Sequence, residues 1–262
     1  MISCVILTHN NEKNIEPLLE MMHWCDECIV VDDDSTDKTR DIAKRAGAIV
    51  VKHALQNDFA AQRNIGLAIA KGPARNASQS DAGGDWILFV DSDELVSPLL
   101  AQEIQAIVKD ANSEAQGYYM KRIDTMWGRE LRHGETRDVR LLRLARSGAG
   151  KWKREVHEVW DVTGGTKTCM HPLSHSPHPD VPTFLAQINR YTTINAAVFY
   201  AAGIRANVGT IVMYPVAKFF QNYIIKLGFL DGTVGFVHAM MMAFHSFLTR
   251  AKLWQINEDK EK

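Results

Sequence analysis

Two aspartates separated by one residue are the most promising chemical feature of the sequence. Asp91 and Asp93 flank Ser92 directly after the apolar run 86–90. Mg²⁺ and Mn²⁺ prefer carboxylate oxygens and substrate phosphates, and a turn after a buried strand can aim both carboxylates at one ion. Such an ion would neutralise a departing diphosphate. We therefore predict a divalent metal held by Asp93 and Asp91, against the alternative of solvated acids ahead of a helix.

A second acid cluster, Asp32, Asp33 and Asp34, follows an earlier apolar run. Adjacent carboxylates repel one another unless a cation or a hydrogen-bond donor compensates them. One of them can accept from a base N–H or a ribose hydroxyl, and the alternative is simple N-capping of a helix. The residues expected to line the same crevice are Thr8, His9, Asn10, Glu12 and, by reaching an acid or a phosphate, Arg63.

Alternating strand and helix patterns over the first hundred residues must position these side chains. The predicted strands cover residues 3–7, 27–31, 48–51 and 86–90, and the predicted helices cover 15–22, 35–46 and 58–70 and begin again near 98. We expect Ser35 or Thr36 to cap the second helix and Gly47 to end it. The alternation predicts an α/β fold with a Rossmann-like, mostly parallel sheet and helices on both faces. In such sheets ligands bind beyond the carboxyl ends of the strands, where every polar cluster named above lies.

The later chain is mixed and then helical. Segment 72–84 is small, polar and turn-rich, so we expect a flexible, exposed insertion without chemistry. Strand-like runs follow at 118–122 and 139–144, and the pattern is helical from 183 onward, with one face formed by Phe184, Ile188, Tyr191 and Ile194.

The stretch 233–249 lacks Asp, Glu, Lys and Arg but is short for a membrane span. A helix lying on the membrane surface or packed on the domain is therefore favoured over a crossing. The charged tail 257–262 is expected to fray.

Composition sets limits on the class of protein. The chain has 262 residues and a net charge of −1, so its overall charge gives no argument for nucleic-acid binding. Eleven Lys or Arg against four acids between Lys121 and Arg154 indicate either a solvated surface or one that faces an anionic substrate or lipid. The four cysteines do not form a disulfide framework in a chain of this length, and the Cys25-to-Cys28 spacing lacks a second pair for zinc. The apolar start reads as a first strand rather than a signal peptide, which makes the cytoplasm the default compartment.

Taken together, four motifs resemble the family-2 inverting glycosyltransferases of GT-A fold. The motifs are Thr8-His9-Asn10-Asn11-Glu12, Ile29-Val30-Val31-Asp32-Asp33-Asp34-Ser35-Thr36-Asp37, Gln62-Arg63-Asn64 and Phe89-Val90-Asp91-Ser92-Asp93-Glu94. The resemblance implies a nucleotide-sugar donor, with Thr8 and Asp33 at a uracil-type base, Asp91 at the ribose or diphosphate and Asp93 at the metal. The insertion at 72–84 departs from the family pattern.

Three later segments resemble a subgroup, the bacterial lipopolysaccharide-core β-glucosyltransferases, which are membrane-associated. The segments are Glu155-Val156-His157-Glu158, Leu173-Ser174-His175 and Lys226-Leu227-Gly228-Phe229-Leu230-Asp231-Gly232. Inversion by direct displacement requires a general base at the acceptor hydroxyl. The resemblance favours Glu158 as that base, with Glu155 and Asp138 as alternatives, His157 as a residue that orients the base or contacts the acceptor, and His175 as a further metal ligand. Either histidine could equally be structural.

This interpretation divides the chain at residue 180. Residues 1–180 would form the GT-A catalytic domain, with a nucleotide-sugar-binding half at 1–110 and an acceptor half at 111–180, and 181–262 would form a helical C-terminal region that could associate with membrane. The expected partners are a nucleotide sugar, with UDP as the expected nucleotide, and a glycolipid or saccharide acceptor, with Mn²⁺ or Mg²⁺ as cofactor and peripheral contact at the inner face of the plasma membrane.

Other functions fit the sequence less well. A haloacid-dehalogenase-type phosphatase also carries D-x-D, but after its first strand, whereas three strand patterns precede Asp91. A nucleotidyltransferase would want a glycine-rich basic loop after the first strand, and residues 8–12 contain neither glycine nor a basic residue. Transfer to a polyprenyl phosphate or a protein, and a non-catalytic nucleotide-sugar-binding homologue, stay open.

Overall fold

A computed structural model describes residues 1–56, 58–71, 86–154 and 158–261. The expected insertion at 72–84 therefore lies outside the described residues. The chain forms two compact units, the first made of Met1–Arg122 and Arg140–Ser174 and the second of Ile123–Val139 and His175–Lys262. Segment 123–139 thus belongs with the C-terminal helices.

The first unit is built on a parallel sheet. Its parallel strands are β1 (Ile2–Thr8), β2 (Glu27–Asp32), β3 (Ile49–Lys52) and β4 (Trp86–Asp91), in the order β3-β2-β1-β4. The register places Thr8 beside Asp32 and Leu7 beside Asp91. All seven residues of β1 are buried, which is typical of a central strand that is covered on both faces.

Helices cover the sheet on both faces. The helices of this unit are α1 (Ile15–Met21), α2 (Thr39–Arg45), α3 (Phe59–Lys71) and α4 (Pro98–Lys109). Alternate residues of the strands face opposite sides: Cys4 and Ile6 pack with α1, α2 and α4, whereas Val5 and Leu7 pack with α3. The predicted Rossmann-like α/β arrangement is confirmed.

Further strands follow β4 along the chain. They are β5 (Glu94–Leu95), β6 (Gly117–Met126), β7 (Arg129–Leu131), β8 (Arg140–Arg146), β9 (Gly150–Lys153), β10 (Val159–Val162), β11 (Thr166–Thr168), which pairs parallel with β6, and β12 (Leu173–His175). Strand β8 runs antiparallel to β4 and to β6, and β9 pairs with β10 in a separate hairpin. The sheet is therefore mixed, with β8 placing its side chains next to those of β4.

The second unit is mainly helical. Its long helices are α5 (Val181–Ala201), α6 (Val208–Phe220) and α7 (Gly232–Glu261), and a π-helical turn (Gln221–Ile225) and a 3₁₀ turn (Gly228–Asp231) join the last two. The predicted helical extension is confirmed. No single helix among the described residues is long and apolar enough to cross a membrane, whereas Val208–Ile225 and Gly228–Lys260, bent by 70°, reach that length and composition as a pair.

Three local expectations need correction. Helix α2 starts at Thr39, and its first amide donates to Asp37 Oδ1 at 3.0 Å, so neither Ser35 nor Thr36 caps it. The buried face of α5 consists of Phe184, Ile188, Thr192 and Ala196, because residues four apart lie on the same face of a helix. Tyr191, which was predicted to lie on this face, is exposed. The tail is helical to Glu261, and Asn257 in it is buried.

Candidate functional site

The two acid clusters lie at one edge of the parallel sheet. β2 ends at Asp32 and β4 ends at Asp91, and both strands flank β1, which ends at Thr8. Neighbouring strands are about 4.8 Å apart, so the backbones of Asp32 and Asp91 are roughly 10 Å apart. The structure therefore brings together the strand-end residues that the sequence singled out.

The loops after β1 and β2 are tied to each other through Asn10 and Glu12. The Asn10 amide donates to Ser35 Oγ at 2.9 Å, and Asn10 Oδ1 accepts from the Thr36 amide at 2.8 Å. Glu12 Oε2 accepts from the Lys38 amide at 3.1 Å. Asn10 and Glu12, both predicted to line the ligand crevice, thus hold together the two loops that follow β1 and β2 at this edge of the sheet.

Asp32 and Thr8 hold buried oxygen atoms without hydrogen-bond partners among the described residues. The Asp32 side chain is fully buried; its Oδ2 accepts from the Ser35 amide at 3.0 Å, and Arg40 Nε lies 3.7 Å away. Asp32 Oδ1 and Thr8 Oγ1 have no such partner. Unsatisfied buried polar atoms are costly, and a ligand is one explanation for them.

Asp33 lies between the β1 and β3 ends. Its amide donates to the Thr8 carbonyl at 2.8 Å, and its Oδ1 accepts from the Leu55 amide at 2.7 Å. His9 Nδ1 lies 2.5 Å from the Asp33 carbonyl oxygen. Thr8, His9 and Asp33 therefore form a contiguous group at the strand ends.

Asp91 is held by two buried arginines. Arg63 Nη2 donates to Asp91 Oδ1 at 2.8 Å, and Arg143 Nη2 makes a short ion pair with Asp91 Oδ2. Burial raises the pKa of Asp91, but the charges of Arg143 and Arg63 outweigh burial and hold that pKa well below its usual range. Asp91 is thus a fixed carboxylate anion, and both of its oxygen atoms are already paired with guanidinium groups.

Arg143 is the main residue that sequence analysis missed. It was counted among the eleven basic residues of a possible anionic-substrate surface, but it is 4% exposed and also donates to Glu94 at 2.6 Å. Glu94 in turn accepts from the Asp91 amide at 2.8 Å, which closes the turn after β4. Burial raises the pKa of Glu94, against the opposing charge of Arg143.

The basic run is not one surface. Arg143 lies inside the first unit, and Arg146 stacks on Trp86 at 4.7 Å and donates to the Ser113 carbonyl. The alternation of a strand explains why a run of basic residues divides between core-facing and exposed positions. In the sequence, the signal for Arg143 was its position inside the strand-like run 139–144.

Glu158, the predicted base, is brought to the same site. Its Oε1 accepts from Arg63 Nε at 3.0 Å, so Arg63 bridges Glu158 and Asp91. The Glu158 side chain is 18% exposed, which leaves it accessible to a substrate. His157 and Glu155 lie outside the described residues. Asp138, the other alternative, is an exposed residue of the second unit.

An aromatic cluster fixes the position of Arg63. Its guanidinium lies 4.6 Å from the Trp152 ring centroid and 5.7 Å from that of Phe89. Trp152 stacks on Trp160 at 5.3 Å, and both contact Phe89 edge-on. Arg63 Nη1 is buried without a partner among the described residues. The arginine is therefore held rigidly with one donor to spare.

Carboxylates at the sheet edge are the candidate ligands for a divalent metal. The described residues contain no group of three or more His, Cys, Asp or Glu that could hold a metal by themselves. Mg²⁺ is commonly bound by one or two carboxylates together with substrate phosphates, and the exposed Asp93, beside Ser92 in the turn, fits that arrangement. Asp91 is already occupied by arginines. His175 belongs to the second unit, where its Nδ1 lies 2.8 Å from Asp124 Oδ1.

The sequence profile of the family described as Glycosyl transferase family 2 matches residues 3–208, more than half of the chain. The chain belongs to glycosyl transferase family 2. The resemblance that the sequence motifs indicated is thereby confirmed, and the α/β sheet with its helical extension is a GT-A fold.

Two relatives match this family-2 glycosyltransferase over almost its whole length. An uncharacterized glycosyltransferase of Rickettsia bellii is 28% identical, with 98% of this chain and 87% of the relative covered. The lipopolysaccharide core biosynthesis glycosyltransferase LpsC of Rhizobium meliloti is 25% identical, with 97% and 92% covered. Among solved structures, glucosyl-3-phosphoglycerate synthase from Mycobacterium tuberculosis, in complex with Mn²⁺, UDP and glucosyl-3-phosphoglycerate, is 24% identical over 48% of this chain and 44% of that chain, with a TM-score of 0.35.

Proposed function

We propose that the protein is an inverting, metal-dependent hexosyltransferase that uses a nucleotide sugar, with UDP as the nucleotide. The observation that carries the proposal is the bridge made by Arg63 between Asp91 and Glu158 at the edge where β1, β2 and β4 end. Through that bridge Glu158 and Asp91 lie on either side of Arg63, which supports Glu158 as a base next to the proposed diphosphate site. Family membership supports glycosyl transfer as the reaction class.

The nucleotide would bind at the strand ends. Thr8 and Asp33 would contact the base, and the unpartnered oxygens of Thr8 and Asp32 would receive hydrogen bonds from base or ribose donors. His9 is placed beside them, with Asn10 and Glu12 shaping the loops. Each buried polar atom that gains a partner in this way contributes to affinity, because leaving it unpaired is costly.

The diphosphate would lie at the turn that follows β4. Asp93, with Asp91 as the further predicted ligand of the same unit, would hold Mn²⁺ or Mg²⁺, and the ion would neutralise charge on the leaving nucleoside diphosphate. Arg63 Nη1, which is buried and has no partner among the described residues, would donate to a phosphate oxygen. Arg143 and Glu94 keep the turn in place without contacting substrate.

The transfer is a single displacement. Glu158 removes the proton from an acceptor hydroxyl while that oxygen attacks the anomeric carbon, and the bond from the anomeric carbon to the diphosphate oxygen breaks. The configuration at the anomeric carbon inverts, and the nucleoside diphosphate leaves with the bonding electron pair. Arg63 orients the Glu158 carboxylate throughout, and His157 would contact the acceptor or the base.

The acceptor class is proposed from the relatives. The relative from Rhizobium meliloti is named for lipopolysaccharide core biosynthesis, which supports a glycolipid or saccharide acceptor. The inner face of the plasma membrane is the location that we propose for the transfer. A polyprenyl phosphate, a protein acceptor and a non-catalytic donor-binding role are the alternatives that turnover measurements decide.

A thermal-shift screen of nucleotide sugars with and without Mn²⁺ tests the proposal. At a ligand concentration 100 times the dissociation constant, binding stabilises a protein by about 2.7 kcal/mol. We expect a UDP-hexose to raise the melting temperature only with Mn²⁺, and the Asp93→Asn variant to lose that rise and all turnover. The exposed Asp41→Asn on α2 is the matched control and keeps both. An unchanged response in Asp93→Asn would refute the metal assignment, and donor binding without transfer to any hydroxyl acceptor would indicate the non-catalytic role.

A further inference from the structure

Helix α6 is apolar around its whole circumference but has no buried residue. Its sequence, Val208–Phe220, carries Lys218 as its one charged residue. A helix that is apolar all round is normally buried in a large core or in a membrane. Within the described chain, α6 therefore lacks the cover that its composition requires.

The apolar surface continues through the bend into α7. Ile224, Ile225, Phe229 and Leu230 are exposed in the turns between the helices, and α7 exposes a stripe at helical spacing made of Phe236, Met240, Phe244 and Phe247. A groove of about 280 Å³ between α6 and α7 is lined by apolar side chains of both. Soluble monomers rarely expose an apolar patch of this extent.

Charge is nearly absent from this surface. Segment 206–249 contains three charged residues, Lys218, Lys226 and Asp231. Lys218 Nζ donates to Glu135 at 2.9 Å, and Asp231, which is buried, accepts from both the amide and the ring of His133. Two of the three charges that would oppose transfer to an apolar medium, Lys218 and Asp231, are thus paired inside the second unit.

Basic residues outnumber acidic ones in the segment that carries the apolar surface. Apart from Lys218 and Asp231, which are paired within the unit, residues 181–256 contain five Lys or Arg and no acid; the bases are Arg190, Arg205, Lys226, Arg250 and Lys252. A surface that is apolar at its centre and basic around it matches a bilayer with anionic headgroups. A non-obligate protein partner is less suited, since such interfaces are only about as apolar as the rest of a protein surface.

We propose that α6, the two turns after it and the first half of α7 form a wedge that inserts into one leaflet of an anionic membrane. The two helical segments bend by 70° between Ile225 and Gly228. Because of this bend, the helix pair enters the leaflet and returns from it instead of crossing the bilayer. Leu227 adopts a left-handed backbone conformation there, with φ of 59°. The inference rests on the membrane location proposed above and is independent of the donor chemistry.

Vesicle flotation with the full chain tests the wedge. We expect binding to phosphatidylglycerol-containing vesicles to be at least tenfold stronger than to phosphatidylcholine vesicles. The triple variant Val212→Gln, Phe220→Gln, Ile225→Gln removes three exposed apolar side chains and should lower the partition coefficient at least tenfold. The matched control changes exposed residues of α5 in the same unit, Leu185→Gln with Val198→Gln, and should bind as the unchanged protein does.

Three results would overturn the proposal: no binding to either vesicle, equal binding to both compositions, or unchanged binding of the triple variant. Sedimentation without vesicles gives a further refuting result, a dimer that the triple variant dissociates, because a second copy would then cover the surface. Thermal shift with UDP-hexose and Mn²⁺ on the triple variant separates this inference from the donor proposal. A retained donor response shows that the unit with the nucleotide site is folded.

Discussion

Replacing Arg143 by methionine tests the interpretation of the turn after β4. The change removes a buried guanidinium group. The methionine side chain is unbranched and apolar, and it fills much of the same space. Glu94, whose side chain is 0% exposed, then loses its ion-pair partner, and Asp91 keeps only Arg63. The variant therefore isolates the electrostatic role of Arg143 from its packing role.

The expected loss of stability is large. Removing one partner of a buried ion pair costs about 3–5 kcal/mol, because the remaining charge is left without compensation. The double variant Arg143→Met, Glu94→Gln removes that charge, and we expect it to recover about 1–3 kcal/mol of the loss. The exposed Arg140 on the same strand is the matched control, and Arg140→Met should cost less than about 0.5 kcal/mol.

The pH dependence of Arg143→Met has a definite sign. Burial raises the pKa of Glu94, and the charge of Arg143 opposes that rise. In the variant the opposing charge of Arg143 is gone, so the pKa of Glu94 rises further. A carboxyl with a raised pKa in the folded state adds stability below its unfolded pKa of about 4.3, and that stability is lost as pH rises through the folded pKa. The deficit of the variant relative to the unchanged protein should therefore be greatest at pH 7 and shrink as pH falls toward about 4.5.

Urea unfolding at pH 7 and at pH 5 measures these differences, with the slope of free energy against urea used to check that unfolding stays two-state. The reasoning fails if Arg143→Met and Arg140→Met lose the same stability, or if the double variant recovers nothing. A deficit that grows as pH falls would also contradict it, since an unpaired buried carboxylate must be relieved by protonation.

The remaining predictions concern the base and the packing of α3. Glu158→Gln should keep the thermal response to UDP-hexose with Mn²⁺ but reduce transfer by a factor of about 10²–10⁴; normal transfer in this variant would give the role to Glu155 or Asp138. Gly66→Ala adds a Cβ that would overlap Val5 Cγ1 and should lower stability by about 1–3 kcal/mol. Gly165→Ala, whose Cβ would meet nothing within 4 Å, is its control in the same unfolding assay, and equal losses would contradict the packing argument.

The local pattern of the sequence predicted most of the strands and helices of the first unit. Strand and helix periodicity depends on neighbouring residues, so β1 to β4 and α1 to α4 could be predicted within a few residues. The acid clusters could be placed together because the ends of adjacent parallel strands share one edge. Caps were less predictable: Asp37 competes with Ser35 and Thr36 for the same amides, and only the loop geometry selects it.

Contacts between distant residues were decided by the tertiary structure alone. Arg143 lies 52 residues from Asp91, and Glu158 lies 95 residues from Arg63, so no spacing rule connects either pair. β8 pairs with β4 from Leu144 onward, and Arg143, the residue before Leu144, is a buried partner of Asp91. The sequence by itself indicated the family, through motifs that resemble it, and the sheet edge at which the acid clusters meet, because strand ends follow from local patterns. Which charges meet there was left to the fold, because ion pairing depends on distance in space rather than along the chain.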